Sequence, residues 1–237
     1  MKRKALLIGS THGLEGVKVD LLTFQEYLKT DRGGAWYSSE IEVKPDIAKR
    51  DLEPLILNYK REKYDYFIVM FSGHGGQKRE TVLELNKNEE TIAETELRNI
   101  SDRQLNIYDC CRAYPSYITD SLMRMKAAFS ESLSKSTLNR ERYEKRIMQA
   151  IPQQVLLYSC SVGQYSYDSA KGGIYLQNLL RSTLTVEGDF KLVGVAHQEA
   201  KILTESQVRE EHQRDQNPEG ILPKCLSEQQ LVFTISA

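Results

Sequence analysis

The sequence lacks three features: a cysteine pattern for metal or disulfides, an excess of basic residues, and a long apolar run. Only four of its 237 residues are cysteines, and their spacing fits neither a zinc site nor a disulfide framework. Its 32 Lys and Arg nearly balance its 33 Asp and Glu, so it carries no basic footprint for nucleic acid or an anionic membrane. No apolar run approaches the roughly 20 residues of a membrane span. We therefore expect a reduced, cytoplasmic protein that binds neither nucleic acid nor membrane.

What is present is a regular alternation of short apolar runs and helical patterns. Helical spacing of apolar residues predicts helices over 17–28, 46–63, 172–184 and within 192–213. Between them we predict six strands, at 4–10, 39–43, 66–71, 105–111, 155–160 and 231–236. The length suits a single domain spanning 1–237, with no linker or repeat. The alternation predicts an α/β fold with an open, mostly parallel sheet covered by helices on both faces.

Chemically active side chains follow two of these strands. His74 lies among glycines directly after the run YFIVMF, and Cys111 closes the run LNIYDCC. Ligands and catalytic groups gather beyond the carboxyl ends of parallel strands. A histidine and a cysteine at two such ends are what a Cys/His hydrolase needs, although each alone is more often a loop histidine or a core cysteine.

Several segments together resemble the caspase–metacaspase superfamily of cysteine peptidases, and its bacterial caspase-like members most of all. The matching pieces, in the expected order along nearly the whole chain, are KALLIG, YFIVMFSGHGG, LNIYDCCR, VLLYSCSVGQYSYD, KGGIYLQNLL, QNPEG and LVFTIS. The resemblance implies a single caspase-like domain with a six-stranded central sheet in three layers. It also implies a cysteine endopeptidase that needs no metal or organic cofactor. Calcium activation occurs among metacaspases, but no motif here specifies a calcium site.

The resemblance also implies roles for individual residues. His74 is the general base and acid, and Cys111 is the nucleophile. The backbone N–H groups of Gly75 and Cys111 form the oxyanion hole. Cys110 is the rival nucleophile, but the pattern D-x-C favours Cys111.

The resemblance also predicts which residue precedes the cut, because the chain departs from the caspase signature Q-A-C-x-G at two positions. Asp109 stands in place of its Gln and Ala113 in place of its Gly, which is closer to metacaspases. Those relatives cut after Arg or Lys, because acids line the pocket for the residue before the cut. Asp109, Asp20 and Ser72 match that pocket. For Asp20, an ordinary residue in the first turn of a helix is an equal alternative.

Other residues near these strand ends are weaker candidates. Ser159, Cys160 and Ser161 either line the substrate groove or simply end a strand with small polar side chains. His12 follows the first strand, and we expect it at the surface.

The charged segment 119–150 corresponds to the linker between caspase subunits. An acidic pocket suggests self-cleavage at one of the basic residues around Arg140–Arg146, with a solvated amphipathic helix as the alternative. The resemblance suggests activation by self-processing or by a partner protein, a protein or peptide substrate, and a role in bacterial defence or regulated cell death. It slightly favours a monomer. A non-catalytic caspase-fold interaction module is the alternative function, and a nucleotide-binding protein is disfavoured because STHGLEG matches no phosphate-binding motif.

Overall fold

The computed structural model describes residues 1–114 and 137–236. In chain order its strands are β1 (Arg3–Gly9), β2 (Ile41–Pro45), β3 (Tyr66–Ser72), β4 (Gly75–Gln77), β5 (Thr81–Glu84), β6 (Thr91–Ala93), β7 (Arg103–Asp109), β8 (Gln153–Tyr158), β9 (Asp168–Ser169), β10 (Gly172–Gly173), β11 (Phe190–Leu192), β12 (Glu219–Ile221) and β13 (Val232–Ile235). The helices are α1 (Gly16–Lys29), α2 (Lys49–Glu62), α3 (Thr137–Gln149), α4 (Ile174–Arg181) and α5 (Val193–His212). None of the helices in the described ranges is both long and apolar enough to cross a membrane.

A six-stranded sheet in the order β12-β8-β7-β3-β1-β2 organises the fold. Five of its strands are parallel, and β12 runs antiparallel to β8 at one edge. The α/β class and the mostly parallel six-stranded sheet, both predicted from the sequence, are confirmed. Parallel pairing puts the carboxyl ends of β1, β3 and β7 side by side at one edge of the sheet.

The sheet is covered on both faces, which gives three layers. All seven residues of β3 are buried, as expected for a central strand with helices on either side. Alternate residues of β3 enter different cores: Ile68 and Met70 pack with apolar residues of α1, α3, α4 and α5, whereas Phe67, Val69 and Phe71 pack with those of α2.

The sixth strand of the sheet differs from the prediction. The strand predicted at 231–236 is present as β13, but it pairs with β11 in a separate two-stranded sheet and not with the central sheet. The edge position belongs to β12, whose three residues are all exposed. An edge strand with exposed side chains carries no apolar alternation, so only its pairing with β8 reveals it.

Two helix boundaries also differ from the prediction. Asp46 does not cap α2, because its carboxylate accepts hydrogen bonds from the backbone N–H and the hydroxyl of Thr11, and α2 begins at Lys49. Gly172 and Gly173 do not open α4 but form β10, which pairs with β9.

Part of the linker-like segment is a folded helix. The arginines of α3 are bound: Arg140 pairs with Glu40 and Glu144, and Arg142 donates to the carbonyl of Ser236. Arg146 is buried and donates to the carbonyl of Ser227. A peptidase binds an extended chain, so self-cleavage at any of these arginines requires α3 to unwind first. Of the other basic residues of the segment, Lys145 is exposed on α3, and Arg124, Lys126 and Lys135 lie outside the described residues.

Candidate active site

His74 lies immediately beyond the carboxyl end of β3 and is held by the neighbouring loop. Its Nε2 is 2.9 Å from the backbone oxygen of His12, which follows β1. A carbonyl oxygen only accepts, so Nε2 carries the proton and Nδ1 is left as the basic nitrogen. His12 was expected at the surface, and its side chain is exposed there. Its backbone carbonyl nevertheless orients His74. Every residue type has such a carbonyl, so the sequence could not predict this contact.

The two adjacent cysteines have different environments. The alternation along β7 sends Cys110 into the core on the α2 side of the sheet, where it is 2 % exposed. Burial and the neighbouring Cys160, Cys111 and Asp109 raise the pKa of the Cys110 thiol well above its ordinary value, so it stays protonated. Cys111 is only partly buried. Of the two, Cys111 is the one placed to meet a substrate.

The sulfur of Cys111 contacts the backbone of Ser166. The N–H of Ser166 lies 3.4 Å from Sγ, and the thiol lies 3.6 Å from the carbonyl oxygen of the same residue. Burial raises the pKa of Cys111, the Ser166 N–H lowers it, and the charge of Asp109 raises it. The nucleophile candidate is therefore a protonated thiol in this arrangement.

Gly75, one of the two residues of the predicted oxyanion hole, lies close to the two cysteines. A Cβ on Gly75 would lie 2.8 Å from Cys110 Sγ and 2.9 Å from the Cys111 carbonyl oxygen, so only glycine lets β4 approach the cysteines this closely. The N–H groups on either side of Cys111 are occupied, by Ser159 Oγ at Cys110 and by the Gln164 carbonyl at Arg112. Within residues 1–114 and 137–236 no acceptor binds the N–H of Cys111 itself.

Asp20 lies in α1 and points beneath the strand ends. Ser72 Oγ donates to its Oδ2 at 2.6 Å, the N–H of Gly173 contacts both of its oxygens at 3.0 and 3.1 Å, and Gln177 Nε2 lies 3.2 Å from Oδ1. Asp20 is completely buried, unlike an ordinary residue of the first helical turn. The structure thus brings Asp20 and Ser72 together, as the pocket interpretation expects.

Asp109 ends β7 and faces the same space. Its Oδ1 accepts a hydrogen bond of 2.7 Å from Ser166 Oγ, and its Oδ2 accepts one of 3.0 Å from the N–H of Leu176 at the start of α4. Any Cβ on Gly172 or Gly173 would collide with Asp20 or Asp109 respectively. The two glycines are therefore required for β10 to lie against these carboxyls.

A third carboxyl, Asp168 in β9, completes this cluster and was not assigned to the pocket from the sequence. Its Oδ1 accepts from the N–H of Ser169 at 2.8 Å, and the N–H of Gly16 at the start of α1 also binds it. Burial and the charge of Asp109 raise the pKa of Asp168 to about 6, whereas His74 acts in the opposite direction. The only sequence signal was its place in the segment YSYD, which resembles the family but carries no spacing rule.

The three carboxyls together form an acidic pocket, a name used below for Asp20, Asp109 and Asp168. Burial raises the pKa of Asp20 well above its ordinary value, and the charges of Asp109 and Asp168 add to this effect. Burial also raises the pKa of Asp109. In the part of the chain that the structure describes, no lysine or arginine forms an ion pair with any of the three. A buried carboxylate cluster of this kind is stabilised by an incoming cation.

The three candidates after β8, Ser159, Cys160 and Ser161, make hydrogen bonds to the backbone around the site. Ser159 is fully buried and its hydroxyl bridges the N–H and carbonyl of Cys110. Cys160 is also fully buried, with its sulfur near the carbonyls of Cys110 and Gln164. Ser161 is partly exposed and donates to the carbonyl of Asn217. Their polar groups are used in these backbone contacts, and the expectation that Ser159, Cys160 and Ser161 line the groove stays a prediction.

No group of three or more His, Cys, Asp or Glu side chains among the described residues is arranged to hold a metal ion. The site offers a thiol, an oriented imidazole, a backbone N–H without an acceptor in the described ranges and a buried cluster of carboxyls. This combination suits attack on a carbonyl with recognition of a neighbouring cation.

Both the sequence and the fold have matches among known proteins. The sequence matches the family model described as the caspase domain, peptidase C14, over residues 2–219. Among solved structures, the chain is similar to the crystal structure of caspase-1 from Spodoptera frugiperda, with a TM-score of 0.60 and 14% sequence identity. That similarity covers 92% of this chain and 87% of the insect chain, and at this identity it speaks for the fold. No curated protein matches the sequence.

Proposed function

Because the chain belongs to the caspase family of cysteine peptidases, we propose that it is an endopeptidase that cuts after arginine or lysine. Cys111 is the nucleophile, His74 the general base and acid, and the acidic pocket holds the basic side chain before the cut. The observation that carries the specificity is the cluster of three carboxyls without a cation of its own. A neutral side chain entering it would leave the carboxylates unpaired, and an acidic one would be repelled.

The proposed reaction is that of a Cys/His dyad. His74 Nδ1 takes the thiol proton of Cys111, and the thiolate attacks the scissile carbonyl. The N–H groups of Gly75 and Cys111 stabilise the resulting oxyanion. His74 then returns the proton to the leaving amine, which breaks the C–N bond and leaves a thioester on Cys111. Water activated by His74 hydrolyses the thioester and frees the enzyme.

The three carboxyls differ in their access to substrate. Asp168 is partly exposed, Asp109 is 5 % exposed, and Asp20 lies completely inside. A substrate cation meets Asp168 and Asp109 first. It reaches Asp20 only when the segment around Gly173, which binds both oxygens of Asp20, moves aside.

The test is steady-state cleavage of a fluorogenic peptide panel that differs only in the residue before the cut: Arg, Lys, Asp or Ala. We expect cleavage of the Arg and Lys peptides, with kcat/KM at least about 100-fold above the Ala peptide, since an unpaired buried charge costs about 3 kcal/mol or more. Cleavage after Asp would refute the pocket assignment. No cleavage of any peptide, with or without added calcium, would favour the non-catalytic interaction module.

The acidic pocket should also lower the stability of the unliganded protein. Replacing Asp168 with Asn is expected to raise the free energy of unfolding at pH 7.5 by up to about 3 kcal/mol, because its folded pKa of about 6 lies above the unfolded value of 3.8. A carboxyl with a raised pKa destabilises the fold as the pH rises through this window. The gain from Asp168→Asn should therefore be complete above pH 6 and disappear below about pH 4.

Urea unfolding of the wild type and Asp168→Asn at pH 7.5 and 4 measures this difference. The variant should at the same time cleave Arg peptides more slowly. The prediction is contradicted if the variant and the wild type are equally stable at both pH values, or if the variant is less stable at pH 7.5. Either result would show that ionised Asp168 does not destabilise the fold.

A further inference from the structure

Ser166 contacts both halves of the candidate site. Its hydroxyl donates to Asp109 Oδ1 at 2.7 Å, while its backbone N–H and carbonyl hold the sulfur of Cys111 at 3.4 and 3.6 Å. One residue therefore connects the carboxyl that would bind a substrate cation with the sulfur that would attack the substrate.

The carbonyl of Ser166 favours the protonated thiol of Cys111, whereas the N–H of Ser166 acts the other way and lowers the pKa of that thiol. The bond to the Ser166 carbonyl requires the S–H proton, because a carbonyl oxygen cannot donate. This is the proton that His74 must remove, and no hydrogen bond joins His74 to Cys111 among the described residues. The sulfur must leave the carbonyl of Ser166 before the base can act on it.

The far side of Ser166 is fixed by a buried glutamine. Gln216 Nε2 donates to Ser166 Oγ at 3.2 Å and to the Ser159 carbonyl at 2.9 Å, while Gln216 Oε1 accepts from the N–H of Tyr167 at 3.0 Å. Gln216 is fully buried, so a substrate does not reach it directly. Of the partners that set the position of Ser166, Asp109 is the one that a bound cation engages directly.

We propose that Ser166 is a positioning residue that couples the acidic pocket to the nucleophile. A guanidinium or ammonium group that engages Asp109 displaces the Ser166 hydroxyl, and the backbone of Ser166 then releases the Cys111 thiol to His74. The inference rests on the proposed function, because it takes the basic residue before the cut as the occupant of the pocket. It makes the basic side chain an activator of the nucleophile as well as a determinant of affinity.

Electrostatics acts in the same direction. The charge of Asp109 raises the pKa of Cys111. A cation on Asp109 offsets that charge and makes the thiolate easier to form. This through-space effect does not need the Ser166 hydroxyl, so the experiment has to separate the two contributions.

The experiment measures how fast iodoacetamide alkylates Cys111, with the site of modification read by tandem mass spectrometry. Ethylguanidinium fills the pocket without presenting a peptide bond, and ethylurea is its neutral control of similar shape. In the wild type we expect ethylguanidinium to accelerate alkylation at least about fivefold, the lower end of ordinary coupling between two sites. Ethylurea should leave the rate unchanged.

Three variants assign the effect. Ser166→Ala should keep only the through-space part and respond less than half as strongly as the wild type. Ser166→Thr, which keeps the hydroxyl, should restore the full response, and Asp109→Asn should abolish it. A Ser166→Ala response equal to that of the wild type, or no restoration by Ser166→Thr, would overturn the role of the hydroxyl. If Ser166→Ala does not fold, the comparison of wild type, Ser166→Thr and Asp109→Asn still decides whether pocket and nucleophile are coupled.

Failure of this inference is distinct from failure of the proposed function. If ethylguanidinium competitively inhibits cleavage of Arg peptides but does not accelerate alkylation, the pocket binds the cation and the coupling is refuted. If Arg peptides are not cleaved and ethylguanidinium has no effect on alkylation, the proposed function itself fails.

Discussion

Replacing Cys111 with alanine should lower kcat/KM for the best Arg or Lys peptide by about 10⁴-fold or more, because residues of a catalytic unit fail together when the nucleophile is lost. His74 remains held by the His12 carbonyl but has no thiol to deprotonate. Cleavage is measured as the initial rate with enzyme in excess, so that a residual rate of this size can still be seen.

The matched control is Cys110→Ala, which removes the adjacent thiol. Cys110 faces the core on the α2 side, and its buried thiol has a strongly raised pKa, so the variant should lose less than about tenfold in kcat/KM while losing about 1 kcal/mol of stability. Cys225→Ala is a second control at a position outside the site. An inactive Cys110→Ala beside an active Cys111→Ala would reverse the assignment of the nucleophile.

Replacing Asp109 with asparagine should lower kcat/KM for Arg and Lys peptides by about 100-fold or more, since the loss of one partner from a buried charge pair costs about 2–5 kcal/mol. The change is nearly isosteric. Asparagine can still accept from the N–H of Leu176, and its amide can donate to Ser166 Oγ, so the surroundings of Asp109 stay satisfied. The effect therefore reports the charge.

The control for this prediction is Asp189→Asn, which removes a carboxylate whose side chain is 86% exposed beside Arg142. It should leave the kinetics unchanged. Cleavage of the Ala peptide should be little affected by Asp109→Asn, so the ratio of the Arg rate to the Ala rate falls. A loss of equal size on every peptide would mean that Asp109 supports the nucleophile segment and does not read the substrate cation.

The central sheet was predictable because its strongest signals are local. An unbroken apolar run such as that of β3 specifies a strand buried on both faces, and the structure places it at the centre of the sheet. The alternation along β7 predicts that Cys110 and Cys111 face opposite ways, which is what separates a core thiol from an accessible one. Burial on both faces leaves little freedom in register, so pattern alone is sufficient here.

The edge of the sheet was not predictable for the opposite reason. β12 consists of three exposed residues, and it is recognised as a strand by its antiparallel pairing with β8. β13 has the stronger apolar pattern but pairs with β11. Pairing of this kind is a choice among distant segments that no local periodicity encodes.

By itself the sequence determined the α/β class and the strand ends that carry His74 and Cys111, because motifs and periodicity are properties of neighbouring residues. The resemblance to caspases and metacaspases added Asp109 and Asp20 as candidates for the pocket, with an ordinary helix residue as an equal alternative for Asp20. Only the tertiary structure decided what surrounds these groups: the His12 carbonyl behind His74, Asp168 as the third carboxyl, and Ser166 between sulfur and pocket. The first contact is made by a backbone atom, which has no residue-type signature. The contacts of Asp168 and Ser166 bring the 166–168 segment against β7 and α1. These elements are far apart in the sequence and meet only in the folded protein.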